Sequence, residues 1–366
     1  MHITRIRLCN YRSYDQLEFF PSAGLNVIVG ANAAGKTNIL ESIYLSAVGR
    51  SHRTRRDAEL INSSCRGGYA GIEIENAKGS HLIEIKLREN EAKQVFVDRQ
   101  KLARIGELMG VLNVVMFSPE DLSLIKGAAQ ERRRFMDTEL CQLRPAYFYR
   151  LQQYNAALKQ RNALLKDSWP VPPSDDMLEM WDEQLAKCGC VIMKTRRGFA
   201  DELSTVAFDL HRRITEKREQ LYTSYQPDVP FEENLEFDAL REALFRSHSE
   251  DIRCGYTNRG PHRDDLSVEI NGSNARTFAS QGQQRTAALS LKLSELALMR
   301  EIKGEAPVML LDDVLSELDA DRQCALLSSA FDCQCFLTTT QLEGLKNIPD
   351  MTVFDCGGGK LVRRES

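Results

Sequence analysis

Two stretches of this chain carry residue types that could do phosphate chemistry, and they lie far apart. The first is Gly30-Ala31-Asn32-Ala33-Ala34-Gly35-Lys36-Thr37, with Asn38 directly after it. Gly30 and Gly35 permit backbone angles that a Cβ resists, so consecutive N–H groups can converge on phosphate oxygens. Lys36 would reach the β- and γ-phosphates of a nucleotide, and Thr37 would place a hydroxyl on Mg²⁺. An apolar run, Leu25-Asn26-Val27-Ile28-Val29, precedes the loop, and a helical pattern, Asn38-Ile39-Leu40-Glu41-Ser42-Ile43-Tyr44-Leu45, follows it. Strand, glycine loop and helix is the context that separates a phosphate site from a chance glycine loop. The helix N-terminus adds bare donors and a partial positive charge.

The second stretch is Val308-Met309-Leu310-Leu311-Asp312-Asp313, an apolar strand ending in paired carboxylates. Asp312 at the strand tip would hold Mg²⁺ through water, opposite Thr37. Asp313 is placed to orient or deprotonate an attacking water. Acids often end strands, so the pair gains its meaning from the glycine loop. Between the two stretches stands Ser280-Gln281-Gly282-Gln283-Gln284-Arg285, ahead of a helix containing Leu289, Leu291, Leu293 and Leu296. A serine before a glycine at a helix start offers a hydroxyl, bare N–H groups and a dipole, a second anion site. Taken alone it is an ordinary N-cap. Ser316-Glu317-Leu318-Asp319 follows the carboxylate pair.

The elements that position these residues fall into three blocks. Met1 to Leu8 alternates as a strand, and Asn10-Tyr11-Arg12-Ser13-Tyr14 reads as a polar, aromatic turn before the strand feeding the loop. From Tyr69 to Val97 apolar residues alternate with charged ones, with Asn76-Ala77-Lys78-Gly79 as a hairpin turn. That is an antiparallel sheet with one wet face. Val111 to Phe117 is a buried strand stopped by Ser118-Pro119. Then Leu151, Tyr154, Leu158 and Leu165 recur at helical spacing, as do Trp181, Leu185, Cys188, Ile192, Phe199, Leu203, Val206 and Leu210. The proline-rich loop Trp169 to Ser174 separates them, which predicts two antiparallel helices packed along a seam. After Gly255 come a strand at Leu266–Ile270 with an Asn271-Gly272 turn, a helix at 283–302 and buried strands at 308–311 and 335–338. The expected organisation is a core half at 1–118, a helical insertion at 119–254 and a second core half at 255–366.

The bulk numbers agree. At 366 residues the chain suits two domains, or one core with a large insertion. It is 42% hydrophobic and 27% charged, as folded globular chains are. No apolar run approaches the roughly 18 residues that span a bilayer. Met1-His2-Ile3-Thr4-Arg5 lacks the apolar core of a signal peptide, so a cytoplasmic location without membrane contact is expected. The ten cysteines are scattered, and the closest pairs, Cys188/Cys190 and Cys333/Cys335, lack the partners of a zinc site. They read as free, mostly buried thiols. The net charge of −4 does not announce a nucleic-acid binder. Its distribution is more telling. Between Ser123 and Lys166 nine Lys/Arg stand against three acids, and Arg50-Ser51-His52-Arg53-Thr54-Arg55-Arg56 forms a second basic knot. Either could be a solvated face or a phosphate-binding patch.

The order of glycine loop, insertion, serine–glycine segment and carboxylate strand resembles the ABC-type P-loop ATPase heads. These are α/β folds with an antiparallel β subdomain and, here, an inserted α-helical arm. More closely, the chain resembles the RecF family, related to the SMC heads. The matching segments are Asn10-Tyr11-Arg12-Ser13-Tyr14, the loop from Gly30 to Asn38, Gly49 to Thr54, Phe117 to Leu122, Arg132 to Asp137, Gly260 to Leu266, Gln281 to Arg285 and Leu310 to Asp319.

The resemblance implies an ATP-dependent DNA-binding protein of recombinational repair and replication-fork maintenance. It would bind duplex and single-stranded DNA or gap junctions and aid recombinase loading, with RecR and RecO as partners and RecA downstream. ATP and Mg²⁺ would be its cofactors and an ATP-dependent homodimer its assembly, with weak, DNA-stimulated hydrolysis acting as a switch. Ser280, Gly282 and Gln283 of one chain would meet the γ-phosphate held by the other, with Arg12 and Asp319 also at the nucleotide. Arg53, Arg55, Arg56, Arg132, Arg133 and Arg134 are the expected DNA contacts.

Three departures from the wider ABC pattern point to slow turnover. Asp313 replaces a glutamate, Thr338-Thr339-Thr340 takes the place of the switch histidine, and no glutamine stands near 117–122. The alternative functions are an ATPase subunit of an ABC transporter, which needs no helical arm, and a chromosome-organising SMC-like head, which carries a far longer one.

Overall fold

The computed structural model describes residues 1–167, 172–330, 332–342, 345 and 351–364. Its central sheet has the strand order Lys360–Arg363, Thr352–Gly357, Leu25–Val29, Cys335–Thr339, Val308–Asp312, Val114–Phe117. All neighbours are parallel except the Lys360–Arg363 edge. The runs Val114–Phe117 and Val308–Leu311 are buried residue after residue, as parallel strands covered on both faces must be. Cys335–Thr339 lies between the glycine-loop strand and the carboxylate strand, and its Thr338 is in register with both Ile28 and Asp312.

A second six-stranded sheet is antiparallel, in the order Tyr14–Phe19, His2–Tyr11, Gly67–Asn76, Gly79–Arg88, Gln94–Val97, Gln100–Lys101. Ile72, Ile74, Ile83, Ile85 and Leu87 are buried on one face, and Asn76 pairs with Gly79 across the expected two-residue hairpin. One boundary differs from expectation. The first strand runs on to Tyr11, and after Arg12-Ser13 a further strand, Tyr14–Phe19, returns beside it. Tyr11 and Tyr14 look like turn residues by composition, yet both are fully buried. Asn10 and Arg12, at φ 48° and 53°, supply the left-handed backbone of the reversal.

The chain divides into two compact units, Met1–Asp121 with Ala288–Ser366, and Leu122–Ala287. The chain therefore leaves the core close to the expected position 118 but returns at 288 rather than 255. Strand Asp265–Ile270 explains the difference. It pairs antiparallel with Leu221–Gln226 and Ser273–Asn274 in a three-stranded sheet of the inserted unit. The insertion is thus helical with a small sheet, and it includes Ser280.

Within the insertion, helices Pro145–Lys166 and Asp175–Ile214 are antiparallel, since Tyr147 meets Arg196 and Arg161 meets Asp182. Trp169 to Val171, in the proline-rich connection, lie outside the described residues. Apolar periodicity misses the polar members of the seam. Arg161 is fully buried and donates to Asp182 at 2.8 Å, Asp251 at 2.6 Å and Thr257 at 2.9 Å. Arg196 likewise donates to Asp137, to the Pro261 carbonyl at 2.6 Å and to Asp264 at 2.9 Å. The Tyr225 hydroxyl also donates to Asp264, and Tyr154 hydrogen-bonds His262 at 2.7 Å. The segment Gly260 to Asp265, which the resemblance leaves without a role, is therefore the polar lock of this unit.

Removing one member of a buried ion network leaves the others charged and desolvated. Arg161→Ala should lower unfolding free energy by about 3–5 kcal/mol, read as a shifted urea midpoint. An unshifted midpoint would show that Asp182 and Asp251 need no cation.

Candidate nucleotide site

Backbone packing explains both glycines of the loop. A Cβ on Gly30 would lie 2.3 Å from the Cys356 carbonyl oxygen. Gly35 has φ +106°, and a Cβ there would lie 2.8 Å from the Tyr14 hydroxyl. Helix Lys36–Val48 starts at Gly35 with no side-chain cap, so its dipole and first-turn donors face the loop. Ala31, Asn32 and Ala33 form an exposed rim. The Lys36 ammonium folds across the loop onto the carbonyls of Gly30 at 2.7 Å and Ala31 at 2.9 Å.

The second stretch meets the first at its expected place. The Thr37 hydroxyl donates to Asp312 Oδ1 at 2.9 Å. Thr338 donates to the same oxygen at 2.7 Å, while its own Oγ1 accepts the Asp313 N–H at 3.0 Å. Asp313 sits at φ 51°, a left-handed conformation that costs a non-glycine residue about 1–2 kcal/mol. Among the described residues no donor reaches the Asp313 carboxylate. A hydroxyl and a carboxylate at this spacing are hard oxygen donors that suit Mg²⁺, which keeps waters and phosphate oxygens as its other ligands. Among the described residues no group of three or more His, Cys, Asp or Glu could hold a metal by itself.

By resemblance alone, Thr338 merely stands where a histidine is usual. Its position supplies a reason. It orients the Asp312 carboxylate and tethers the Asp313 backbone together. A single buried hydroxyl at the end of an apolar strand was the available signal.

Arg12, expected at the nucleotide, forms a bidentate pair with the buried Glu41 at 2.8 and 2.7 Å. Ser51 donates to the same carboxylate at 2.6 Å. Burial opposes ionisation of Glu41, but the Arg12 and Ser51 hydrogen bonds and the charges of Arg12 and Arg53 hold it below the usual carboxylate range. Arg53 lies 3.8 Å from Glu41 and donates to Asn38 at 3.1 Å, and Asn38 donates to Ser13 at 3.0 Å. Arg53 thus joins the rim of the phosphate loop. Burial lowers the His52 imidazole against the pull of Glu41 and Asp312, so it adds no charge to the basic knot at neutral pH. Arg55 and Arg56 are exposed.

The other expected residues lie further along the chain. Ser280 and Gln283 form a reciprocal capping box, with Ser280 N–H to Gln283 Oε1 at 2.8 Å and Gln283 N–H to Ser280 Oγ at 3.3 Å. Both Ser280 and Gly282 are exposed at the start of helix Gln281–Lys303. Asp319 accepts the Arg322 N–H at 3.0 Å, capping helix Ala320–Ala330, and pairs with the Arg322 side chain. Arg132 is consumed by the insertion: it pairs bidentately with Asp265 at 2.6 and 2.8 Å and donates to the Gly127 carbonyl at 3.0 Å. That pairing weighs against the expected DNA contact at Arg132. Half-buried Arg133 donates to the Asp264 carbonyl, and Arg134 is exposed.

A parallel sheet carrying a glycine loop and a carboxylate strand, flanked by an antiparallel sheet and split by an insertion, defines an ABC-type P-loop ATPase head. The model of the RecF/RecN/SMC N-terminal domain family matches residues 2–354. The chain belongs to the RecF family of DNA replication and repair proteins. It is 43% identical over 367 residues to the DNA replication and repair protein RecF of Alkaliphilus oremlandii, covering 99% of this chain and 100% of that one. Identity to the Clostridium kluyveri protein of the same name is also 43%, over 99% and 100% of the two chains. A solved structure of the recombination mediator protein RecF with ATP, of the RecFOR pathway, superposes with a TM-score of 0.92 at 35% identity, covering 100% of this chain and 98% of that one. An SMC head with the C-terminal winged-helix domain of ScpA shares the fold, at TM-score 0.56 and 16% identity over 100% and 98% of the chains. No described helix is long and apolar enough to cross a membrane.

Thr338→Val keeps the shape of the side chain but loses both hydrogen bonds. It should lower ATP turnover roughly 10- to 100-fold, with Thr338→Ser restoring most of it. Steady-state phosphate release measures this, and a Val variant as active as the parent would reduce Thr338 to packing.

Proposed function

We propose that this protein is a slow, ATP-dependent DNA-binding switch that pairs with a second copy of itself when ATP is bound. One observation carries the reading: the Thr37 hydroxyl and the Asp312 carboxylate, at opposite ends of the chain, meet at 2.9 Å beside an uncapped helix N-terminus. Lys36 and the loop N–H groups would hold the β- and γ-phosphates, and Thr37 with Asp312 would hold Mg²⁺. When bound, that ion offsets phosphate charge. Asp313 is positioned to orient water. Its short side chain and left-handed backbone suit slow turnover.

Partner contacts follow the same logic. Ser280 and Gly282 stand at an exposed helix start, where a γ-phosphate held by a second copy could meet them. DNA would meet Arg53, Arg55 and Arg56, with Arg133 and Arg134 as a second patch. Recruitment of RecR and RecO, and loading of RecA at gaps or junctions in the cytoplasm, is the wider role this reading supports.

Association should respond to nucleotide. Light scattering should show dimers with ATP but not with ADP. Lys36→Ala should lose ATP binding, and Ser280→Arg should bind ATP yet stay monomeric, whereas Asp313→Asn should hold the dimer longer. A dimer that forms without nucleotide, or a Ser280→Arg variant that still pairs, would reduce Ser280 to a helix cap.

DNA binding has its own test. Replacing Arg53, Arg55 and Arg56 together by Ala should weaken duplex binding and flatten its salt dependence, by roughly one unit of log–log slope for each phosphate no longer neutralised. Arg133 and Arg134 replaced together should act more weakly, and Arg132→Ala should act through stability alone. Filter binding across a salt series decides. If both patches can be removed without effect, DNA is held elsewhere.

A further inference from the structure

The phosphate loop is held from behind by two side chains outside its own motif. Tyr14 donates its buried hydroxyl to the Gly35 carbonyl at 3.2 Å. Cys356, on strand Thr352–Gly357, directs its buried thiol to the Ala34 carbonyl at 3.3 Å. The phenol oxygen and the sulfur are themselves 3.3 Å apart. Burial, followed by the neighbouring thiol, raises the Tyr14 phenol well above its ordinary value, so it stays an O–H donor.

A trans peptide points its C=O and its N–H in opposite directions. Anchoring the Ala34 carbonyl therefore turns the Gly35 N–H away from Cys356. Anchoring the Gly35 carbonyl turns the Lys36 N–H away from Tyr14, and the Asn38 N–H takes the same carbonyl at 3.0 Å. The Gly35 and Lys36 N–H groups are donors that a phosphate in the loop must meet. The Tyr14 anchor also accounts for Gly35, where a Cβ would strike its hydroxyl, while Gly30 is required by the backbone carbonyl of Cys356.

We propose that Tyr14 and Cys356 are positioning residues for nucleotide phosphates, acting as proton donors that preset the Ala34–Gly35 and Gly35–Lys36 peptides. The proposal rests on the nucleotide reading of the loop. A mere filler behind the loop would need the shape of these side chains but not their protons. Tyr14→Phe removes only the hydroxyl, Cys356→Ala removes the donor, and Cys356→Ser keeps one.

Calorimetric titration with Mg²⁺-ATP, beside thermal unfolding without nucleotide, separates the two accounts. Tyr14→Phe and Cys356→Ala should each weaken ATP binding roughly five- to tenfold. Cys356→Ser should stay within about threefold of the parent, because a donor remains. Phe and Ala variants that bind like the parent, or a Ser variant as weak as the Ala variant, would overturn the proposal. Tyr14→Phe keeps the ring and carries the test if Cys356→Ala does not fold. A parent that binds no ATP would instead overturn the nucleotide reading, and this proposal with it.

Discussion

The phosphate site depends on holding the Asp312 carboxylate against the Thr37 hydroxyl across 275 residues of chain. Neither residue can do this by local structure. The parallel sheet does it, by fixing Leu25–Val29, Cys335–Thr339 and Val308–Asp312 in adjacent register. Their carboxyl ends then open on one crevice, where parallel sheets place their ligands. A one-residue slip in either pairing would carry Thr338 to the opposite face and strand Asp312 without its brace. The long insertion between the two halves is tolerated because closure entropy grows only with the logarithm of loop length, about 0.6 kcal/mol per doubling. Its own folding sets the cost, which is why it carries a polar lock of its own at Arg161 and Arg196.

Much of this was legible in the sequence, for definite reasons. The loop from Gly30 to Thr37 and the strand ending at Asp312 combine rare residue types with steep hydrophobic contrast, and such contrast survives without tertiary information. The antiparallel sheet was legible because one face is wet and alternation results. What failed to show was of two kinds. Strand Leu221–Gln226 alternates well, but short alternation among polar residues competes poorly with the long helices before it. The sequence pattern assigns Leu266–Ile270 to the core half, and the structure pairs it inside the insertion instead, because a strand's partner is a tertiary fact: its period suits an antiparallel neighbour, and that neighbour is Leu221–Gln226. The second kind is polar burial. Arg161, Asp182, Arg196 and Glu41 look like surface residues in any composition scale, and only pairing with an opposite charge permits the burial of each. Cys356, and the bracing role of Thr338, were invisible for a related reason, since a hydroxyl or thiol within an apolar strand reads as neutral filling.

The same principle changes how the basic stretches should be understood. A basic run in sequence is not a basic surface. In the window after Ser123, Arg132 and Arg161 have turned inward to carboxylates, and Arg133 is half spent on a carbonyl. A guanidinium already satisfied in a buried bidentate pair cannot serve a phosphate without leaving its carboxylate uncompensated, a loss larger than one phosphate contact returns. The shorter knot at 50–56 behaves differently. Arg55 and Arg56 are exposed, and Arg53, also exposed, reaches back to Asn38 and toward Glu41 on the helix that begins at the phosphate loop. A polyanion on this loop would therefore compete for Arg53 with groups that border the nucleotide. That juxtaposition gives the smaller basic cluster the stronger physical claim to a polyanion, although the larger one dominates any count of charges.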